Sequence, residues 1–310
     1  MEHAQKGFIP VMLTPFLDNG NIDYAALTEL TEIYLMAGAS GLFANCLSSE
    51  MFELTDTERI SAIKHVMKVV NRAVPVVATG TFGGPICKQA DFVKAVHDTG
   101  VEAVIAITSL LADEADNDAT FEANVFDLLH QTGQIPLGFY ECPVPYKRII
   151  KPTQLANFVS TGRVIYHKDT SLDINQIKQK LQYTSGYKFG LYDAYMGHAV
   201  DSLKAGSAGL SCIQGNYFPE LIVWLCDHFD DEKLKYEIAA VQQFLIDNME
   251  VMHNVYPIVS KYFLQKRGLN IGTFTRRNVG TLTNTVVKNV EALYDDYTVL
   301  RNNLNIEVFI

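Results

Sequence analysis

The chain has 310 residues, 48% hydrophobic and 19% charged, and carries a net charge of −10. That composition gives a globular protein enough apolar material for a sizeable core, and the acidic balance without a basic cluster argues against nucleic acid or an anionic membrane as partner. The five cysteines (Cys46, Cys87, Cys142, Cys212, Cys226) form no CxxC pair, as expected of reduced thiols in a cytoplasmic protein. No segment reaches the ~20 apolar residues of a membrane span, and residues 1–10 carry no signal-peptide pattern.

Short β-rich runs at 7–14, 40–45, 74–79, 103–108, 136–141, 164–168, 189–192 and 209–213 alternate with amphipathic helical segments. The first helix, 24–37, follows Asp23 as its cap; the next, 57–70, opens on Thr55 with Glu58 in capping-box spacing. Gly38, Gly100, Gly133, Gly162 and Gly206 stand where helices end. Gly80-Thr81-Phe82-Gly83-Gly84 lacks the spacing of a phosphate loop and predicts a tight turn. Asp113, Glu114, Asp116 and Asp118 form an acidic loop, solvated by default, with a cationic or hydroxyl-rich substrate tail as the alternative.

Eight such units in succession predict a (β/α)8 barrel; an open doubly wound sheet rarely repeats so regularly. Residues 218–229 complete the eighth unit. Beyond them, 233–264 and 284–302 have helical patterns, joined by a Gly-, Thr- and Arg-rich connection at 268–283. The expected organisation is a catalytic barrel, 1–229, and a C-terminal helical extension, 230–310.

Barrel active sites lie at the C-terminal ends of the strands. In Val164-Ile165-Tyr166-His167-Lys168-Asp169-Thr170-Ser171, strand alternation turns Tyr166 and Lys168 inward and His167 toward the helices. Tyr166, one layer below Lys168, is expected to fill the barrel. Tyr140 ends the preceding strand, where Pro143 stops the pairing. Taken singly, Lys168 is a solvated charge and Tyr140 a core phenol. Together, a dehydrated amine and a neighbouring phenol are the parts needed to form and protonate a Schiff base. Ser48 and Ser49, in the loop after the second strand, offer hydroxyls to a carboxylate. Tyr192 and Asp193 are further candidates for the pocket wall. The histidines show no HExxH or paired spacing, so neither a metal nor a cofactor is expected.

These segments resemble the dihydrodipicolinate synthase / N-acetylneuraminate lyase superfamily over nearly the whole chain. The resemblance is carried in order by Thr14-Pro15-Phe16 with Ile22-Asp23, by Gly41-Leu42-Phe43 leading to Ser48-Ser49-Glu50, by Leu54-Thr55 with Glu58-Arg59, by Tyr140 to Pro143, by Lys168-Asp169-Thr170-Ser171, and by Gly206 through Asn216. It implies a barrel with a helical extension, a homodimer or homotetramer, and lysine-imine chemistry on pyruvate or another 2-oxo acid. Lys168 would be the nucleophile and Tyr140 the acid/base group. Ser48, Ser49, Thr170 and Ser211 would bind substrate. The departures are specific: Cys46-Leu47-Ser48-Ser49-Glu50 replaces the GxTGE-type loop, Ser109-Leu110-Leu111 replaces a Pro-Tyr-Tyr relay, and Pro145 falls where the synthases carry an arginine. The expected activity is therefore a Schiff-base lyase, aldolase or dehydratase, other than dihydrodipicolinate synthesis. A non-catalytic 2-oxo-acid sensor on the same fold is the alternative.

Overall fold

The computed structural model describes residues 6–308; the outermost ends of the two expected parts, 1–5 and 309–310, lie outside them. Eight parallel strands form one sheet: β1 (Gly7–Phe8), β2 (Leu42–Ala44), β3 (Val76–Thr79), β4 (Ala103–Ile107), β5 (Leu137–Tyr140), β6 (Val164–Asp169), β7 (Gly190–Asp193) and β8 (Gly209–Leu210). From β2 to β8 each strand pairs with the next in sequence, and β8 pairs with β1. The ring closes where Val11 bridges Phe43, with N–H groups of Met12 and Phe43 donating to Phe43 and Pro10 carbonyls at 3.0 Å. The (β/α)8 barrel is thus as expected.

The first strand is shorter than the 7–14 run because Pro10 has no N–H to give a ladder. The last, expected over 209–213, gives way after Leu210 to a 3-10 turn, Ile213–Asn216. At the seam a Cβ on Gly209 would lie 1.7 Å from the Gly7 carbonyl oxygen, so only glycine lets these backbones meet.

Between the strands run α1 (Tyr24–Met36), α2 (Asp56–Val70), α3 (Ile86–His97), α4 (Asp118–Gln131), α5 (Pro152–Val159), α6 (Ile174–Tyr183), α7 (Ala199–Ala205) and α8 (Pro219–His228). Asp23 caps α1, and Thr55 with Glu58 forms the capping box of α2, as their spacing predicts. Strand alternation divides the apolar residues into two cores. On β4, Ala103, Ile105 and Ile107 fill the barrel, while Val104 and Ala106 pack outward against the helices.

The expected helix over 233–264 is three: α9 (Lys235–Asp247), α10 (Met249–His253) and α11 (Ile258–Arg267). Pro257, which lacks an N–H and is preceded by a cis peptide bond, sits at the break after α10. The last helix, α12 (Asn284–Asn303), packs on α10 and α11. The 268–283 connection is tied to the barrel by Glu50, whose Oε2 accepts from the N–H groups of Arg276 (2.7 Å) and Arg277 (2.9 Å) while Oε1 faces the buried Lys261 ammonium at 3.1 Å.

Candidate active site

A bulge opposite Leu137 and Gly138 resets β6 so that Val164 faces the helices while Tyr166 and Lys168 point into the barrel. Gly138 makes room: a Cβ there would come within 2.6 Å of Ile105 and 2.9 Å of Tyr166. Tyr140 and Lys168 are register partners at the ends of β5 and β6. The Lys168 Nζ lies 4.4 Å from the centroid of the Tyr140 ring and 5.9 Å from that of Phe43. Lys168 is 4% exposed, and among the described residues no carboxylate pairs with it. Its polar neighbours are the thiols of Cys46, Cys142 and Cys212. Burial pushes Cys142 up to about 11 and Cys212 to about 12, so both thiols stay neutral. Burial therefore lowers the Lys168 pKa with no anion to hold the charge, which favours the free amine. The same burial holds the Tyr140 phenol well above its ordinary value, so it stays protonated and shares a hydrogen bond with the Cys142 thiol.

Tyr166 lies in the layer below. It stacks on Tyr192 (centroids 4.9 Å apart) and donates to Ser211 Oγ at 3.2 Å. Ser211 is thus buried in the barrel interior and Ser49 is similarly enclosed: its Oγ donates to the Met12 carbonyl at 2.6 Å and accepts from the Cys46 N–H at 3.0 Å. Ser48 lines the cavity above Lys168, and so does Thr170, whose hydroxyl is spent on the Glu141 carbonyl at 2.6 Å.

Ser48 is oriented by a chain of hydrogen bonds running in from α1. Tyr34 donates to Asn216 Oδ1 at 2.5 Å; Asn216 Nδ2 donates to the Val11 carbonyl (2.9 Å) and to the Tyr256 oxygen (2.6 Å); Tyr256 donates to Ser48 Oγ at 2.8 Å. Each link fixes the direction of the next, so the Ser48 proton is left free for the cavity. Tyr256 was invisible to sequence reasoning because its segment has a helical pattern; the Tyr-Pro step that breaks the helix was the available signal.

Behind Lys168 the strand presents its other face to α6. Lys180, fully buried, donates to Glu141 Oε1 and Asp169 Oδ2, both at 2.6 Å, and His167 lies 3.4 Å and 3.6 Å from the same two oxygens. Glu141, His167 and Asp169 could by composition hold a cation, but the Lys180 ammonium bridges both carboxylates. Glu141 Oε2 and Oε1 also accept from the Thr170 and Ile150 N–H groups (3.0 and 2.9 Å), which stiffens the chain on both sides of the nucleophile.

The cavity over Lys168, about 330 Å³, takes residues from the strand ends and from α10 and the two connections that follow it. Tyr192 and Asp193 do not line it, but Tyr195, two residues further, does. The acidic loop lies elsewhere: Asp113, Glu114 and Asp116 border a shallower depression with Gly83 and Gly84, where Arg148 donates to the Asp113 and Asp116 carbonyls. Lys147, by contrast, reaches the Lys168 cavity.

Residues 4–296 match the model of the dihydrodipicolinate synthetase family. The chain belongs to that family. Its curated relatives include 4-hydroxy-tetrahydrodipicolinate synthases from Oceanobacillus iheyensis (25% identical, covering 93% of this chain and 96% of the relative) and Saccharophagus degradans (26%, 85% and 89%). Similar solved structures include YagE, a prophage protein of E. coli in complex with pyruvate (TM-score 0.83, 19% identical, 96% and 98% covered), and CdNal of Clostridium difficile in complex with mannosamine (0.83, 16%, 95% and 99%). Members of the dihydrodipicolinate synthetase family are Schiff-base lyases of the class I aldolase type. Among the described residues no helix is long and apolar enough to cross a membrane.

Proposed function

We propose that this protein is a lysine-imine lyase, an aldolase or dehydratase, acting on pyruvate or another 2-oxo acid, sugar acids included, and working as a cytoplasmic homodimer or homotetramer. The observation that carries the reading is the pairing of Lys168 with Tyr140: a buried amine without a counter-ion, 4.4 Å from the ring of a protonated phenol on the adjacent strand. The neutral Lys168 amine adds to the C2 ketone and its proton passes to the carbinolamine oxygen. Tyr140 supplies the proton on which that oxygen leaves as water, and recovers it in the hydrolysis that ends the cycle. Ser48, its hydroxyl proton free, donates to the substrate carboxylate. The imine accepts the electrons released at C3, so either the C3–C4 bond breaks or C3 loses a proton and the resulting enamine expels the C4 hydroxyl as water. Thr170 borders the site without a free hydroxyl proton; Ser49 and Ser211 support the walls.

Leu110 and Leu111 in place of the tyrosine relay, with Arg148 engaged on the acidic loop, argue for a reaction other than dihydrodipicolinate synthesis. The test is a panel of 2-oxo-3-deoxy sugar acids, with released 2-oxo acid measured by a coupled dehydrogenase. Turnover of one or more, lost in Lys168→Ala, is expected; no release or dehydration from any panel member, in a protein that binds them, would overturn the reading in favour of a binder.

A further inference from the structure

The cavity over Lys168 is unbalanced in charge. Lys147, Lys168, His253 and Arg277 face it, yet none of its lining residues is an aspartate or glutamate, in a chain with a net charge of −10. Lys168 enters the chemistry as a neutral amine, and a 2-oxo acid brings one carboxylate, for which Ser48 is placed. Lys147 and Arg277 are then left over.

Both are held for use. Lys147 Nζ donates one hydrogen to the Thr170 carbonyl at 2.8 Å and keeps two more. The Arg277 backbone is fixed by Glu50 at 2.9 Å, whereas its guanidinium makes no hydrogen bond or ion pair with any described residue. Glu53 is an acidic group that acts on it through space, and burial pushes that carboxyl up, toward its neutral form. Five guanidinium donors are therefore open beside a cavity whose wall carries hydroxyls and apolar side chains such as Leu172, Ile213 and Met249 but no carboxylate.

We propose that Lys147 and Arg277 form a second anion subsite, which binds a carboxylate or phosphate on the fragment attached to C3 of the 2-oxo acid. The substrate is then a dianion, with an acid at each end and a short spacer between, and not a neutral sugar chain. This inference rests on the Schiff-base reading. It draws its two cations from separate segments that line one cavity, one after β5 and one in the 268–283 connection, and they discriminate by charge at the end distant from the imine.

The experiment measures borohydride-trapped adduct by intact mass as a function of oxo-acid concentration. The probes are 2-oxoadipate, 2-oxohexanoate (of equal length without the second acid) and pyruvate as internal standard. Two charge-assisted contacts should let 2-oxoadipate half-saturate at a concentration at least about tenfold below that of 2-oxohexanoate. In the Lys147→Gln/Arg277→Gln double variant that ratio should fall below about threefold, with pyruvate adduct in the same sample reporting that the imine site is intact. Glutarate and inorganic phosphate, added as competitors, distinguish the two acid classes by which one raises the 2-oxoadipate midpoint. Equal midpoints for diacid and monoacid in the wild type, with adducts forming from both, would overturn the subsite and leave the imine reading standing. No adduct from any probe would remove the imine reading itself.

Discussion

Replacing Lys180 with methionine tests the frame that holds the nucleophile. The ammonium makes two 2.6 Å contacts, to Glu141 and Asp169, and all three side chains are fully buried. Burial opposes each charge, but the attraction wins: the charges of Glu141 and Asp169 raise the Lys180 pKa, and hydrogen bonds and charge from His167 and Lys180 hold the Asp169 carboxyl below its ordinary range. Methionine fills most of the volume and removes the cation, which leaves two carboxylates to share a dry site with one histidine. Breaking a buried pair in this way costs about 3–5 kcal/mol. A domain of this size should then lose roughly 2–4 °C in Tm for each kcal/mol. The sign with pH follows from the shifts. The raised lysine stabilises the fold below its unfolded pKa of 10.5 and loses that contribution as pH rises through its folded value; the depressed aspartate contributes above 3.8 and loses it in acid. In Lys180→Met a carboxyl can relieve the strain by taking up a proton, so the gap from wild type should narrow as pH falls from 7 toward 4.5. Urea unfolding followed by circular dichroism at both pH values measures it. A gap below about 1 kcal/mol at pH 7, in the range of exposed pairs, would refute the reasoning.

Three further outcomes are expected. Tyr140→Phe should keep the fold and lower kcat by roughly 10²–10⁴-fold while trapped adduct still forms slowly, because the lost group moves a proton and does not hold the substrate; steady-state and trapping rates on one preparation check this. Tyr256→Phe leaves one of the two Asn216 Nδ2 hydrogens unpaired and frees Ser48 to turn, so stability should drop by about 1–3 kcal/mol and KM for the 2-oxo acid should rise; denaturant midpoints and initial rates report the two effects separately. Glu58 is held down to about 2 by its hydrogen bonds to Arg276, so its contribution is present above its ordinary value of 4.5 and lost as pH falls toward 2. Glu58→Gln should flatten that limb of an acid-unfolding curve, and an unaltered curve would count against the Arg276 tie.

Much of the barrel was legible in the sequence because each strand carries its own signal, an apolar run that ends near a glycine or a cap. The inward turn of Lys168 and the outward turn of His167 follow from period-two alternation alone, and the bulge upstream does not disturb it. Other parts depend on contacts that local patterns do not encode. Glu141 and Asp169 look like ordinary loop-facing acids until Lys180, on the next helix, is brought between them. Tyr256 hides in a helical pattern that only the Tyr-Pro step interrupts, and its partner Ser48 is 208 positions away. Arg277 sits in a polar connection held by distant partners, Glu50 on its backbone and Glu58 on the neighbouring Arg276. Ser49, equivalent to Ser48 on paper, is turned by the 3-10 geometry of its loop onto the Met12 carbonyl.

The most direct test is to reduce the protein with borohydride in the presence of pyruvate and map the modified peptide. A single adduct on Lys168, formed at neutral pH and absent from Lys168→Ala, is the predicted result. An adduct that maps to another lysine such as the cavity-lining Lys147, or no adduct at all, would contradict the proposal that the buried amine beside Tyr140 is the nucleophile.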